Sequence, residues 1–595
     1  MKILEISIEN FRGIKSAKFL LPGHAVLVGD NNTGKSTVLE AIDLVMGPDR
    51  LSRRPPVDEH DFYQGQYLAR EVLGDQPGKP APLIRVDLTI GDLSDAQQAR
   101  FNAHVEWWDS TSNKLYDEPN PEGVDAGNIS AAMGLTFIGK YDEEEDDFVG
   151  RSYFSCTLDL GDDADEFGRR DKQHCGFVYL RGSRTGSRAL SLEHGSLLDI
   201  ILRLKEIRPK MWESTLTALG GLNVAADPAL GLSGVLTSIN DAMKKYVPKE
   251  WGAEPHLRVS QLTREHLRKV ITAFVATGGA DHAAPFYRQG NGTINMLVLA
   301  MLSLVAEDKQ NVIFAMEELE TAIPPYAQKR IVHELRTLSA QSICTSHSPY
   351  VLEEFSLDET VVLARNDQGV LSRAALQLPD SVKHKRYRQQ FRTRFCEGLL
   401  SRRVLIVEGA TEAASLPTAA RRLNELNPKK YASLESLGLC VLDAGTETQI
   451  ADLGGFYRAL GKRVFGACDK QEAASKALIE AQLEKLYMHH EKGFENLVLK
   501  NTTNDALQRF CDIVDWPPHL NAKFPNPKAD AENAVGEYFL WAKGNWGVAD
   551  FLAQCSEAEI PQWIRAAIID LKAVCDPPKP KAQAGGAAAG APNAP

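Results

Sequence analysis

The chain has 595 residues, 43% of them hydrophobic and 25% charged. That profile supplies apolar material for several cores, and about two to four domains are expected of such a length. The formal net charge of -12 argues against a wholly basic nucleic-acid-coating protein, while leaving room for a local basic groove. No run of about eighteen apolar residues occurs, and the N-terminus enters an alternating pattern directly, so the expectation is a cytoplasmic protein with neither a membrane span nor a secretory leader. The nine cysteines are scattered, without a C-x-x-C pair or Cys/His clustering, which speaks against a disulfide framework or a structural zinc site.

In chain order, "KILEISIENF" alternates as a strand, "RGIKSAKFLLP" follows across a turn, and "HAVLVG" reads as a short buried strand entering a glycine loop. Residues from roughly 55 to 180 mix short strands such as "LIRVDLTI", "GLTFIGKY" and "CGFVYLRG" with acidic loops, and extend the same sheet; the run "YDEEEDDF" is expected to be a solvated loop. From 191 to 280 the apolar spacing turns to three and four, predicting a helical insertion, which is assigned to dimerisation. Strand and helix alternate again over 281–380 and close the first α/β domain, whose N-terminal part is 1–190. A second α/β domain is expected over 381–575. The tail 576–595, "DPPKPKAQAGGAAAGAPNAP", is low in complexity, cannot bury a core and is expected to be disordered.

The stretch "VLVGDNNTGKST" satisfies G-x-x-x-x-G-K-[ST] with Gly29, Gly34, Lys35 and Ser36. Its backbone N–H groups can wrap phosphates, with Asn31, Asn32 and Thr37 in the same cradle; Lys35 reaches the β and γ oxygens, and Ser36 can coordinate magnesium at the mouth of a helix. "NVIFAMEELE" is an apolar strand ending in acids, as a Walker-B strand should be: Glu317 would hold magnesium, and Glu318 would orient or deprotonate the attacking water. "QSICTSHSPYVL" is another apolar strand, ending near His347, where a histidine can sense a γ-phosphate. Between P-loop and Walker B, "RQGNGTINMLVLAML" places Gly290 and Gly292 in a turn that opens a helix.

Order and spacing resemble an ABC-type ATPase head of the branch that includes SMC and DNA-repair ATPases, with "RQGNGTIN" in the signature position. In that class the signature turn of one subunit caps the γ-phosphate held by another, so the resemblance implies ATP as ligand and a homodimer or higher even-numbered oligomer. The absence of a long heptad region separates the chain from coiled-coil SMC proteins.

Further on, "SRRVLIVEGATEAASL" is an apolar strand ending in Glu408, with Glu412 four residues later at the start of a helix; two carboxylates so placed can converge on a divalent metal. "GLCVLDAG" is the next strand, and "GKRVFGACDK" puts Asp469 at the end of a third. This strand-acid order resembles a Toprim domain, and an ABC head followed by a Toprim domain resembles the OLD (overcoming lysogenization defect) nucleases over nearly the whole chain apart from its tail. "EGATE" is similar to that family's E-G-x-T-E, and Glu495 in "KGFENLV" and Lys543 in "WAKGNWGV" look like its later acid and lysine. The resemblance implies an ATP-regulated DNA endonuclease in bacterial anti-phage defence, with an operon-encoded protein or RNA as a candidate partner. Carried over by position, Glu408 and Asp469 would hold one Mg²⁺ or Mn²⁺, Glu412 and Glu495 would contribute to a second, and Lys543 would stabilise charge on the phosphate.

Two places depart from the family. Toprim domains usually carry Asp-x-Asp where this chain has Asp469, Lys470 and Gln471, and the lost charge is expected to weaken one metal. The Glu-Glu-Pro-Glu of the Walker-B region appears as Glu317, Glu318, Leu319 and Glu320, and the following histidine-proline element is altered to "TAIPP". The most concentrated basic stretch, "KHKRYRQQFRTRFCEGLLSRR", directly precedes the Toprim strand; Lys385, Arg388, Arg392 and Arg402 are candidates for DNA phosphates, with Tyr387 and Phe391 as flat faces or core anchors. Gln471 keeps a second reading open, that of an ATP-switched DNA clamp or sensor whose weakened Toprim domain recruits a partner.

Overall fold

The computed structural model describes residues 1–48, 56–69, 81–181, 192, 196–204, 208–220, 232–243, 263, 265, 267, 274–276, 283–289, 297, 300–301, 304, 312–321, 323–374, 376, 379, 392–543 and 547–576. Chain contacts divide it into two units, Met1–Arg373 and Ala374–Pro595. Among the described residues no helix is long and apolar enough to cross a membrane. All nine cysteines are free thiols, and seven of them are buried.

The first unit opens with β1 (Lys2–Phe11), β2 (Ile14–Leu20) and β3 (His24–Val28), followed by helix α1 (Lys35–Met46). In β1, Ile3, Ile6, Ile8 and Phe11 all face the core. Ile3 and Ile6 are three apart rather than two, and the register against the neighbouring strand shifts between Ile3 and Glu5, a bulge that returns both isoleucines to one side. Then come β4 (Ile84–Gly91), β5 (Glu106–Asp109), β6 (Lys114–Tyr116), β7 (Ile129–Asp142), β8 (Asp147–Phe154) and β9 (Phe177–Leu180). The acidic run lies at the β7–β8 turn, where residues 143–147 are exposed, as expected for a solvated loop. A short hairpin follows, β10 (Phe274–Ala276) and β11 (Ala283–Pro285). The unit ends with β12 (Ile313–Met316), α2 (Pro325–Leu338), β13 (Gln341–Thr345), β14 (Thr360–Arg365) and β15 (Val370–Ala374).

Apart from the hairpin, these strands form one sheet in the order β6-β5-β7-β4-β1-β2-β15-β14-β3-β13-β12-β9, with β8 beside β7. One wing is antiparallel, whereas β14, β3, β13, β12 and β9 pair in parallel. Parallel strands need cover on both faces, and β3 and β12 accordingly read as uninterrupted apolar runs, buried throughout from Ala25 to Val28 and from Ile313 to Met316. Within the insertion, Leu197–Leu204, Arg208–Gly220 and Leu232–Met243 are helices and Phe274–Ala276 is the first strand of the hairpin, and Leu192, Trp212 and Leu267 share a small core there.

The second unit carries α3 (Arg392–Leu400), β16 (Arg403–Val407), α4 (Ala410–Leu426), β17 (Leu439–Asp443), α5 (Glu447–Ala459), β18 (Arg463–Cys468) and β19 (Lys485–Met488). After these come α6 (Phe494–Lys500), α7 (Ala531–Trp541) and α8 (Gly547–Gln554). Its sheet runs β17-β16-β18-β19, all parallel. The fold class expected from the sequence, a P-loop α/β head followed by a Toprim-like α/β unit, is the one observed.

Candidate functional site

In the head, adjacency on the sheet assembles the nucleotide side. β13 pairs with β3 on one side and β12 on the other, so the P-loop, the acids after Met316 and the segment after Thr345 leave neighbouring parallel strands at the same carboxyl edge. The loop closes on Gly34, whose φ of 120° is open to glycine and costly for a side chain. A Cβ on Gly29 would lie 2.7 Å from the carbonyl oxygen of Leu363. Lys35 is buried and donates through Nζ to the carbonyls of Gly29 and Asp30 at 2.8 and 3.0 Å. Asn31, Asn32 and Ser36 are exposed, Thr37 is half-buried, and the first turn of α1 carries no acid that would repel an anion.

Glu317 is half-buried, and its Oε1 accepts a hydrogen bond from the Tyr179 hydroxyl at 2.7 Å. Burial and the adjacent Glu317 carboxylate push the phenol far above its usual pKa, which keeps it a donor. Glu318 is exposed, with a left-handed φ of 47°, and its N–H donates to Thr345 Oγ1 at 3.1 Å. His347 is exposed just beyond β13. Gly290 and Gly292 lie outside the described residues.

In the second unit, Glu408 follows β16 and Asp469 follows the adjacent β18, so residues 61 apart in sequence become neighbours at one sheet edge. The Asp469 N–H donates to Glu408 Oε2 at 3.4 Å. Burial first, then a shared hydrogen bond and the charge of Asp469, push the Glu408 carboxyl up to about 7. Glu412, in the first turn of α4, is also pushed up to about 7, by burial foremost and then by Glu495, Asp443 and Asp469. Glu495, in the first turn of α6, is buried and accepts at Oε1 from Thr411 Oγ1 at 2.9 Å. Asp469 accepts from the Gly493 N–H at 3.2 Å and from Gln471 Nε2 at 3.0 Å. The donors are all hard carboxylate oxygens crowding one another's charge, which fits Mg²⁺ or Mn²⁺ rather than a soft metal. Among the described residues no three His, Cys, Asp or Glu side chains gather around one point.

Comparison with known proteins agrees with both halves of this picture. Residues 1–96 match the family described as AAA ATPase domain, and residues 399–470 match the Overcoming lysogenization defect protein-like Toprim domain. The chain joins an AAA ATPase domain to an OLD-like Toprim domain. It is 22% identical over 508 residues to the Old nuclease of Escherichia phage P2, spanning 79% of this chain and 77% of that protein. Among solved structures, the C-terminal region of the Burkholderia pseudomallei OLD protein aligns at 12% identity and a TM-score of 0.22, over 29% of this chain and 98% of that one. The SMC head domain from Thermotoga maritima aligns at 11% identity and 0.29, over 64% and 100%. The resemblance read from the motifs is borne out, and the domain pair is that of an ATPase-linked nuclease.

Other candidates of the Toprim unit are placed less closely. Lys543 follows α7, a helix that packs on the Glu495 helix α6; the lysine is exposed and, among the described residues, its ammonium makes no ion pair. In the basic stretch, Lys385, Tyr387, Arg388 and Phe391 lie outside the described residues. Arg392 begins α3, and Arg402 is exposed beside β16. Arg403, by contrast, is taken up by structure, bonding the carbonyls of Leu437 and Cys575 at 2.6 and 2.9 Å.

Two residues, and the partners of a third, escaped the sequence reading. Asp443 ends β17 beside the Glu408 strand and adds to the charge felt by Glu412; an acid closing "GLCVLD" was the available signal. Tyr179 meets Glu317 only because β9 pairs with β12, a neighbourhood that no local pattern encodes. Glu320 was visible as part of "EELE", but its partners were not.

Proposed function

We propose that this chain is a divalent-metal-dependent DNA endonuclease whose ATPase head regulates cleavage, acting as a homodimer in anti-phage defence. The observation that supports it most is the meeting of Glu408 and Asp469, with Glu412 and Glu495 close by, at the carboxyl edge of the Toprim sheet. Glu408 and Asp469 would hold one Mg²⁺ or Mn²⁺, and Glu412 with Glu495 a second. Bound there, such ions supply charge neutralisation at the scissile phosphate and a more acidic water. Thr411 and Gly493 orient Glu495 and Asp469 through the bonds already described, and Lys543 would meet charge developing on the phosphate. In the head, Lys35 would exchange its bonds to the Gly29 and Asp30 carbonyls for nucleotide phosphate, Ser36 and Glu317 would hold Mg²⁺, and Glu318 would face the attacking water.

Gln471 favours a second reading. Its Nε2, not its carbonyl oxygen, faces Asp469, which occupies an oxygen that a metal would use. On that reading the Toprim unit binds DNA or a partner without cutting.

Nicking of supercoiled plasmid in Mg²⁺ or Mn²⁺ separates the two. Glu408→Ala and Asp469→Ala are each expected to lower cleavage by about 100-fold or more, with ATP turnover retained. Cleavage that persists unchanged in both variants rules out the assigned metal residues, and no cleavage by the wild type with either ion favours the clamp. Lys35→Ala is expected to abolish the response to ATP and to leave basal nicking in place.

A further inference from the structure

The tetrapeptide Glu317–Glu320 contains one acid that neither nucleotide nor water is needed to explain. Glu320 is half-buried, and its two carboxylate oxygens are divided between two groups of the segment after β13. Oε2 accepts from the hydroxyl of Ser346 at 2.7 Å, and Oε1 accepts from the backbone N–H of His347 at 2.5 Å. Bonds of this kind to an ionised acceptor are short and about twice as strong as neutral ones.

The junction continues on both sides. Thr345 receives the N–H of Glu318 on its hydroxyl, at 3.1 Å, and that of Leu319 on its carbonyl, at 3.4 Å. Ser346 Oγ accepts from the Ser348 N–H at 3.0 Å, and Ser348 Oγ donates to Gln328 Oε1 on α2 at 2.6 Å. The pairing of β12 with β13 makes the two loops neighbours but does not by itself lock them together. Within this junction, Glu320 supplies the ionised group, and it grips the residue carrying the candidate phosphate-sensing ring by its main chain. The left-handed Glu318 backbone, unusual for a non-glycine residue, sits two residues away and is held by the same junction.

We infer that Glu320 is a positioning residue that fixes His347 relative to Glu317 and Glu318, so that the phosphate-sensing loop and the hydrolytic acids move as one piece. This rests on the reading of the head as an ATPase in which His347 senses the γ-phosphate.

The test uses the full chain with ATP turnover, binding of a fluorescent ATP analogue, and thermal unfolding, for Glu320→Ala, Glu320→Gln, His347→Ala and the double variant Glu320→Ala/His347→Ala. Glu320→Ala is expected to lower kcat by about tenfold while changing analogue affinity by less than about threefold, and Glu320→Gln, whose carbonyl can still accept the His347 N–H, is expected to recover part of the loss. The double variant should be no slower than the slower single variant, within about twofold, because both changes break one unit. Effects that multiply, an unchanged kcat in Glu320→Ala while His347→Ala is slow, or a loss in Glu320→Ala that Glu320→Gln does not relieve, would each overturn the inference. Should Glu320→Ala fail to fold, Glu320→Gln carries the same cycle with His347→Ala, and multiplying effects there overturn it equally. A His347→Ala variant with wild-type kcat would instead remove the histidine reading itself.

Discussion

Around the P-loop, acids meet donors: Glu317 has Tyr179, Glu320 has Ser346 and the His347 N–H, and Glu40 has Arg12 at 2.8 Å and Arg181 at 3.6 Å. Around β16 and β18, acids meet acids, and two of them are pushed up to about 7. A site whose charges are already matched needs only its anionic ligand to be complete. A site with surplus negative charge is strained until protons or cations relieve it. The head is therefore preorganised for binding, whereas the Toprim edge is preorganised for charge compensation.

The largest expected effect comes from deleting one of those crowded charges. Glu412→Gln should raise the unfolding free energy in EDTA at pH 8 by about 1–2 kcal/mol, because a buried like charge is removed, and should slow plasmid cleavage in Mg²⁺ by about 100-fold. Denaturant melts and nicking assays on the same preparation check both; a less stable variant in EDTA would break the contrast.

Lys172 departs from this pattern of matched charges in the head. Lys172 is fully buried and donates to neutral acceptors, Leu44 O at 3.1 Å and Ser152 Oγ at 3.0 Å. Burial lowers its ammonium from 10.5 to about 7, so the folded state gives up this proton before the unfolded state does. The lysine's contribution to stability is then complete above pH 10.5 and is lost as the pH falls through about 7. Between these limits stability should rise with pH by up to about 1.4 kcal/mol per unit, and Lys172→Met should flatten that slope. Equal slopes for variant and wild type, measured by urea unfolding at a series of pH values, would show that the lysine is not the source.

Tyr179→Phe leaves Glu317 without its hydroxyl donor and should slow ATP turnover by about tenfold with nucleotide affinity little changed. A loss of affinity in place of turnover would mean that the phenol shapes the pocket rather than orienting the acid. The smallest expected effect is a gain. Gln471→Asp restores an acid beside Asp469 and should tighten the apparent Mg²⁺ requirement of cleavage by about three- to tenfold, read from metal titrations. An unchanged requirement would show that the amide costs the site nothing.

Much of the candidate chemistry was legible before any fold was known. The P-loop declares itself because phosphate wrapping needs glycines and a lysine within a few residues, and "RVLIV" and "RVFGAC" declare buried strands because they lack the alternation of half-exposed ones. The unusual spacing of Ile3 and Ile6 was not legible, since it depends on a bulge against β4. Nor was the pairing of Tyr179 with Glu317, which lie 138 residues apart. Asp443 was overlooked although its signal was local, an acid ending a strand beside the one that carries Glu408.

What the sequence determined by itself is therefore the chemistry that a few consecutive residues can specify, because backbone freedom and burial pattern are set by near neighbours: a phosphate loop, strands that end in acids, helices that begin with them. Only the tertiary structure decided which strand end stands next to which. Insertion of β13 between β3 and β12 brings His347 and Glu320 to the P-loop edge, and the pairing of β16 with β18 sets Glu408 against Asp469. Those neighbourhoods come from long-range hydrogen-bonded pairing and shared cores, which no short window of sequence contains.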